Sequence, residues 1–99
     1  MSAKFNELVQ SERPVVVNFF ATWCQPCKVM ASVLNSVKRN VEEEARIVKI
    51  DIDQYQSIAA AHGVRSVPTT MIFKNGALLF RHSGVMDVNS LTAELKKYI

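Results

Sequence analysis

Residues 15–28, VVVNFFATWCQPCK, join an apolar run to a pair of cysteines and decide the predicted fold. The run at 15–20 is mostly β-branched and aromatic and does not alternate with polar residues, which is typical of a strand buried on both faces. After Cys24, apolar residues recur at positions 30, 33, 34, 37 and 41, the spacing of an amphipathic helix. The stretch therefore predicts a buried strand that leads into a long helix, with both cysteines where the two elements meet.

Cys24 and Cys27 are expected to lie at the beginning of that helix. A helix N-terminus carries partial positive charge and free backbone N–H groups, and both stabilise a thiolate. Pro26 suits the first helical turn, where its missing N–H costs nothing. We therefore expect Cys24 to attack a partner disulfide, and Cys27, on a more buried side of the helix, to release the reduced partner.

Half of a zinc site is the alternative interpretation of the two cysteines. Zinc would want about four ligands. The only other good candidates are His62 and His82, which are expected to be surface residues near the ends of elements, and neither forms a ligand pair with the cysteines. Redox chemistry is the favoured interpretation, and no metal is expected.

The rest of the chain predicts further alternation of helices and strands. A short helix over 4–11 precedes Pro14, a second buried-type strand covers 47–52, and a short helix over 55–62 ends at Gly63. Because a helix joins the first two strands, they should be parallel, with a right-handed crossover. The predicted order is α-β-α-β-α-β-β-α.

A hairpin and a final helix complete the predicted fold. Strands over 69–73 and 77–80 flank Asn75-Gly76, a pair that favours a type I′ turn because both positions need a positive φ. Asp87 is expected to cap the last helix. The predicted buried face of that helix contains Val88, Leu91, Leu95 and Ile99.

Composition limits the function classes. The 99 residues are 48% hydrophobic, which predicts a single domain over 1–99 with its own core. The net charge of +3 is scattered, whereas nucleic-acid binding would want a denser basic stripe. No apolar run approaches the roughly 18 residues that span a bilayer, and no secretory signal is recognisable, so we expect no membrane partner and a cytoplasmic location.

The combined motifs resemble the thioredoxin family over roughly residues 5–99. The resemblance rests on a strand followed by Trp23-Cys24-Gln25-Pro26-Cys27-Lys28 and a helix, then Val67-Pro68-Thr69 before a hairpin. Further matching positions are Lys28, Lys49, Asp53, the stretch 73–76 and Gly84. The resemblance implies an α/β thioredoxin fold, with a central mixed sheet of about four strands flanked by helices and the N-terminal edge strand missing.

The resemblance also implies the roles of the residues around the dithiol. Pro68 matches a cis-proline beside the cysteines, with the backbone of Val67 free to meet an extended substrate segment. The implied apolar rim around Cys24 consists of Trp23, Gln25, Pro26, Val67, Pro68, Gly84 and Val85. The implied partners are disulfide-containing proteins and a thioredoxin reductase. The protein would act as a monomer with no cofactor beyond its own redox-active disulfide.

Two positions in the predicted core bear on the resolving step. Asn18 stands where the family usually has a buried aspartate that relays a proton, and an amide cannot titrate. Lys49 resembles the lysine that usually lies near that acid, so it would lack a partner here. The alternative interpretations are a core amide satisfied by backbone or water at Asn18, and a lysine whose amine reaches solvent at Lys49. Gln25 also replaces a typical glycine.

Three functions follow from these motifs. The favoured one is a general reductase of protein disulfides. The second is a specialised relative whose reduction potential is altered by Asn18 and Gln25. The third is a binding subunit that uses the surface and not the thiols, although the intact dithiol motif and Pro68 argue against it.

Overall fold

Four α-helices and four strands occur along residues 3–99, which the computed structural model describes. The helices are α1 (Ala3–Val9), α2 (Gln25–Val41), α3 (Gln56–Ala61) and α4 (Val88–Lys96). The strands are β1 (Val15–Phe20), β2 (Arg46–Asp51), β3 (Thr69–Lys74) and β4 (Ala77–Ser83). A short 3₁₀ turn at Glu42–Glu44 follows α2. The predicted element order is therefore confirmed.

The strands form one mixed sheet in the order β2-β1-β3-β4. β1 pairs in parallel with β2, as the intervening helix predicts, and antiparallel with β3. The β3–β4 hairpin turns at Asn75 and Gly76, whose φ angles of 53° and 80° satisfy the type I′ requirement. Parallel pairing places the carboxyl ends of β1 and β2 at the same edge of the sheet, so the residues that follow each strand lie near one another.

Each face of the sheet has its own core, and β1 contributes to both. Val15, Val17 and Phe19 pack on the side of α1 and α3, whereas Val16 packs on the side of α2 and α4. Because alternate residues of a strand point to opposite faces, Asn18 shares the α2 face with Val16. The buried residues of α2 and α4 on that face are Met30, Leu34, Val37, Val41, Leu91 and Leu95. Burial of β1 on both faces is therefore confirmed.

Three sequence predictions about burial away from the two cysteines were wrong. β2 is not a buried strand: it lies at the sheet edge, no strand within residues 3–99 pairs with its outer side, and only Ile50 is buried. Ile99 is 46% exposed because α4 ends at Lys96. His62, expected at the surface, is half-buried. Its ring lies 4.9 Å from that of Phe5 and 5.8 Å from that of Phe73, measured between centroids.

Side-chain hydrogen bonds satisfy backbone groups at the beginning of α4 and at the end of α3. Asp87 caps α4 as predicted, because its side chain accepts a hydrogen bond from the Ser90 backbone N–H at 2.8 Å. That bond and one from the Ser90 hydroxyl hold the pKa of the Asp87 carboxyl below its usual value. At the other side of the sheet, the Arg81 guanidinium donates to the carbonyls of His62 and Gly63, which end α3. A cation is favourable at a helix C-terminus, because the terminus carries partial negative charge. The contact also connects β4 to the loop that leads to Pro68.

Candidate active site

A disulfide joins Cys24 and Cys27 at the connection between β1 and α2. Cys24 is the N-cap residue of α2, and its Sγ accepts a hydrogen bond from the Cys27 backbone N–H at 3.2 Å. Both residues are largely buried, with exposed fractions of 4% for Cys24 and 7% for Cys27, so the expectation that Cys27 is the more buried of the two was wrong. The sulfur of Cys24 thus sits among the free N–H groups of a helix terminus, an environment that favours a thiolate once the disulfide is reduced.

The segment around Pro68 lies directly against Cys24. The Val67–Pro68 peptide bond is cis, as the resemblance implied. The Cys24 Sγ is 3.7 Å from the Val67 carbonyl oxygen. The Gly84 backbone N–H donates to the Pro68 carbonyl at 2.8 Å, so the end of β4 is held beside the same segment. Residues that are more than forty positions apart in the chain therefore meet at one sulfur atom.

Several exposed side chains follow or flank the dithiol. Trp23 is 68% exposed and Val85 is 43% exposed, while Gln25 and Pro26 are exposed at the beginning of α2. The Trp23 indole N–H donates to Asp53 Oδ2 at 2.8 Å. Asp53 is itself fixed, because its backbone N–H donates to Asp51 Oδ1 at 2.9 Å. No role for Asp53 was predicted from the sequence, although parallel pairing of β1 and β2 could have indicated that residues after the two strands meet.

Asn18 is a buried amide on the α2 face, only 1% exposed. Its Nδ2 donates to Thr70 Oγ1 at 3.4 Å, which supports the interpretation as a satisfied core amide. Asn18 is in register with Lys49 on β2. The Lys49 side chain is exposed, and its Nζ lies 4.9 Å from the centroid of the Phe20 ring, which favours the interpretation in which the amine reaches solvent.

A cavity of about 250 Å³ opens beside Cys27. We call it the Cys27 cavity; it is lined by Phe20, Ala21, Thr22, Cys27, Lys28, Ala31 and Lys49. Both charged groups in this lining are lysines. The cavity therefore gives solvent a route towards the second cysteine on a side that is rich in positive charge.

The zinc alternative finds no ligand set in the part of the chain that the structure describes. Within residues 3–99, no three His, Cys, Asp or Glu side chains are grouped so that they could hold a metal ion. His62 is instead packed against aromatic rings, and its Nδ1 lies 2.9 Å from the Ile58 carbonyl oxygen. In the same residues, no helix has the length and apolar character needed to cross a membrane.

Comparison with known proteins finds similarity to thioredoxins. The family model described as Thioredoxin matches residues 1–97. The chain is 37% identical over 98 residues to a Synechocystis thioredoxin, covering 98% of this chain and 92% of that protein. It is 39% identical over 95 residues to the chloroplastic thioredoxin Y of rice; this match covers 95% of this chain but only 56% of the rice protein's length.

Solved structures agree with the fold. A thioredoxin variant from Halobacterium salinarum superposes with a TM-score of 0.89 at 28% identity, covering 99% of this chain and 85% of that one. The thioredoxin of Fasciola hepatica superposes with a TM-score of 0.88 at 29% identity, covering 98% and 93%. The expected mixed sheet flanked by helices is thereby confirmed.

The Trp23–Asp53 hydrogen bond generates a prediction. We expect Asp53→Ala to release the indole, because the bond is the polar contact that holds this exposed ring. Trp23 is the only tryptophan of the chain, so its fluorescence reports the change directly. Asp53→Asn retains an acceptor oxygen and should stay close to the parent protein. An unchanged emission spectrum and unchanged exchange of the indole N–H in the alanine variant would contradict this.

Proposed function

The chain belongs to the thioredoxin family, and from that premise we propose that it is a thiol–disulfide oxidoreductase that reduces disulfides in partner proteins. Cys24 is the nucleophile in this proposal, and Cys27 is the resolving cysteine. The single observation that carries the assignment is the hydrogen bond from the Cys27 backbone N–H to Cys24 Sγ at the beginning of α2. A sulfur that accepts such a bond at a helix N-terminus is stabilised as the anion.

The reaction has two exchange steps. The Cys24 thiolate attacks one sulfur of the partner disulfide, a Cys24–partner bond forms, and the other partner sulfur leaves as a thiolate. Cys27 then loses its proton and attacks Cys24 Sγ. The Cys24–Cys27 bond forms while the Cys24–partner bond breaks, so the partner gains two electrons and the dithiol becomes the disulfide present in this structure.

Docking of the partner involves the surface around Cys24. The proposed contact residues are Trp23, Gln25, Pro26, Val67, Pro68, Gly84 and Val85. Proximity supports this set, since the Val67 carbonyl oxygen lies 3.7 Å from Cys24 Sγ and Gly84 bonds to Pro68. An extended segment of the partner that meets the Val67 backbone would bring its own disulfide to the nucleophile.

A thioredoxin reductase completes the proposed cycle by returning the disulfide to the dithiol, with electrons from NADPH through a flavin. The chain itself needs no bound cofactor for the exchange, because both sulfur atoms belong to its own side chains. We propose that residues 1–99 act as one domain, as a monomer, in the reducing cytoplasm. The relatives include chloroplastic and bacterial proteins.

A specialised protein with an altered reduction potential is the second candidate. The observation that favours it is Asn18, a buried amide in register with Lys49 on the same side of the sheet as α2. No carboxylate lines the Cys27 cavity within the described residues. Positive charge near the dithiol without a matching negative charge stabilises thiolates, which favours the reduced form and makes the protein a weaker reductant.

Substrate trapping tests the assignment of the two cysteines. In Cys27→Ser, mixed disulfides with partner proteins should accumulate on Cys24, because the resolving thiol is gone. Cys24→Ser is the matched control and should trap far less. Mass spectrometry of the adducts after non-reducing electrophoresis measures both. Equal trapping by the two variants would contradict the roles, and full biological activity of the double serine variant would favour a binding subunit.

Asn18→Asp tests the influence of the buried amide. A carboxylate at this position disfavours neighbouring thiolates and can also accept the proton of Cys27. We expect a raised Cys24 pKa, a more negative reduction potential and faster release of the mixed disulfide. The rate gain should be at or below the low end of the roughly 10²–10⁴-fold that general-base catalysis supplies, because a thiol needs little help.

Asn18→Leu is the control for that experiment, since it removes the amide without adding a charge. It should shift stability through the lost contact with Thr70 but should not move the potential in the direction of the aspartate variant. Potentials are measured by equilibration with glutathione, and release by stopped-flow fluorescence. If Asn18→Asp leaves all three quantities unchanged, Asn18 is only a packing residue.

A further inference from the structure

Two lysines and no acidic side chain line the Cys27 cavity. Lys28 contributes from α2 and Lys49 from β2, and both side chains are exposed. In residues 3–99 the one ion pair is between Lys97 and Glu94, so neither lysine of the cavity is engaged in one. The N-terminal turn of α2, which borders the cavity, adds its partial positive charge. An anion that entered here would meet several favourable partners.

The cavity also lacks a base for the cysteine that lines it. Cys27 has to lose its proton before it attacks Cys24, and proton transfer needs an acceptor within hydrogen-bond reach or one water away. The lining contains no carboxylate and no histidine. Asn18, on the same face of the sheet, cannot titrate. A lysine ammonium group donates hydrogen bonds and has no acceptor site.

One class of ligand supplies both the negative charge and the proton acceptor that the cavity lining lacks. A phosphate dianion carries two negative charges, which match two lysines. The second pKa of a phosphate monoester is about 6, so most of the monoester is a dianion at neutral pH and can accept a proton. A base of that strength lies in the range where general-base catalysis is most effective near pH 7. A volume of about 250 Å³ accommodates such a group together with water.

We propose that the Cys27 cavity binds a phosphate dianion between Lys28 and Lys49, and that this anion accepts the Cys27 proton in the resolving step. The proposal rests on the proposed function, because it concerns its second exchange step. The proton moves from Cys27 Sγ to a phosphate oxygen, the Cys27–Cys24 bond forms, and the Cys24–partner bond breaks with release of the partner thiolate. The phosphate leaves as the monoanion and gives its proton to solvent.

The kinetic experiment separates binding of the anion from its action as a base. Reduced protein is mixed with excess disulfide peptide, and the rate constant for release of the reduced peptide is measured at fixed pH and fixed ionic strength. Inorganic phosphate should raise this constant along a saturation curve by about three- to tenfold, since a weakly held base supplies only part of the usual effect. Sulfate has the same shape and charge but is not a base. It should compete with phosphate and give no acceleration of its own.

Variants locate the effect on the chain. Lys28→Met and Lys49→Met should each weaken the phosphate dependence several-fold. Lys38→Met, an exposed lysine further along α2, is the matched control and should keep it unchanged. Amide NMR spectra of the reduced protein provide a readout without turnover: phosphate should shift the signals of Thr22, Cys27 and Ala31 to saturation. Phosphoserine in place of inorganic phosphate distinguishes a monoester from the free ion as the source.

Three results would overturn the proposal: release that is independent of both phosphate and phosphoserine, equal acceleration by sulfate, or equal loss in Lys38→Met. Each of these leaves the proposed function standing, provided that the mixed disulfide forms on Cys24 and resolves. Failure of that first exchange would instead refute the proposed function itself.

Discussion

The hydrogen bond from the Cys27 N–H to Cys24 Sγ links the fold of this protein to its chemistry. It exists because α2 begins one residue after Cys24, and α2 begins there because Pro26 and the turn after β1 set its first residues. A serine or aspartate usually caps a helix in this way; here a sulfur occupies that position. The atom that reacts, Cys24 Sγ, therefore also accepts the hydrogen bond that caps α2. The same contact contributes to the reactivity of the cysteine and to the stability of the helix terminus.

The pairing of the strands positions the other residues around that sulfur. Parallel pairing of β1 and β2 brings Asp53 within hydrogen-bond distance of the Trp23 indole N–H and brings Lys49 to the cavity beside Cys27. The antiparallel neighbour β3 follows Pro68 directly, so the Val67 carbonyl reaches Cys24 from the other side. A central strand buried on both faces holds these connections in a fixed relation. The residues around Cys24 are therefore all anchored to elements that pair with this strand or follow it.

The sequence predicted the elements better than it predicted their burial. β1, α2 and the hairpin carry strong local signals: a two-faced apolar run, a helical period and an Asn-Gly turn. β2 carries the same apolar signal as β1 but lies at the edge, since composition reports what a strand could bury and not which neighbours it has. His62 was misplaced for the same reason, because its packing against Phe5 depends on tertiary contacts. The dithiol was identifiable from its spacing, whereas the contact of Trp23 with Asp53 and the Cys27 cavity depend on tertiary structure that the sequence pattern does not report.

The proposed chemistry requires that the helix terminus activates Cys24 and not Cys27. It is tested most directly by the rate at which iodoacetamide alkylates each cysteine of the reduced protein as a function of pH, with the products located by peptide mass spectrometry. We expect Cys24 to react first, and its reactivity to rise with a pH midpoint clearly below the pKa of about 8.5 for a free thiol. A Cys24 midpoint at or above that value, or preferential modification of Cys27, would contradict it.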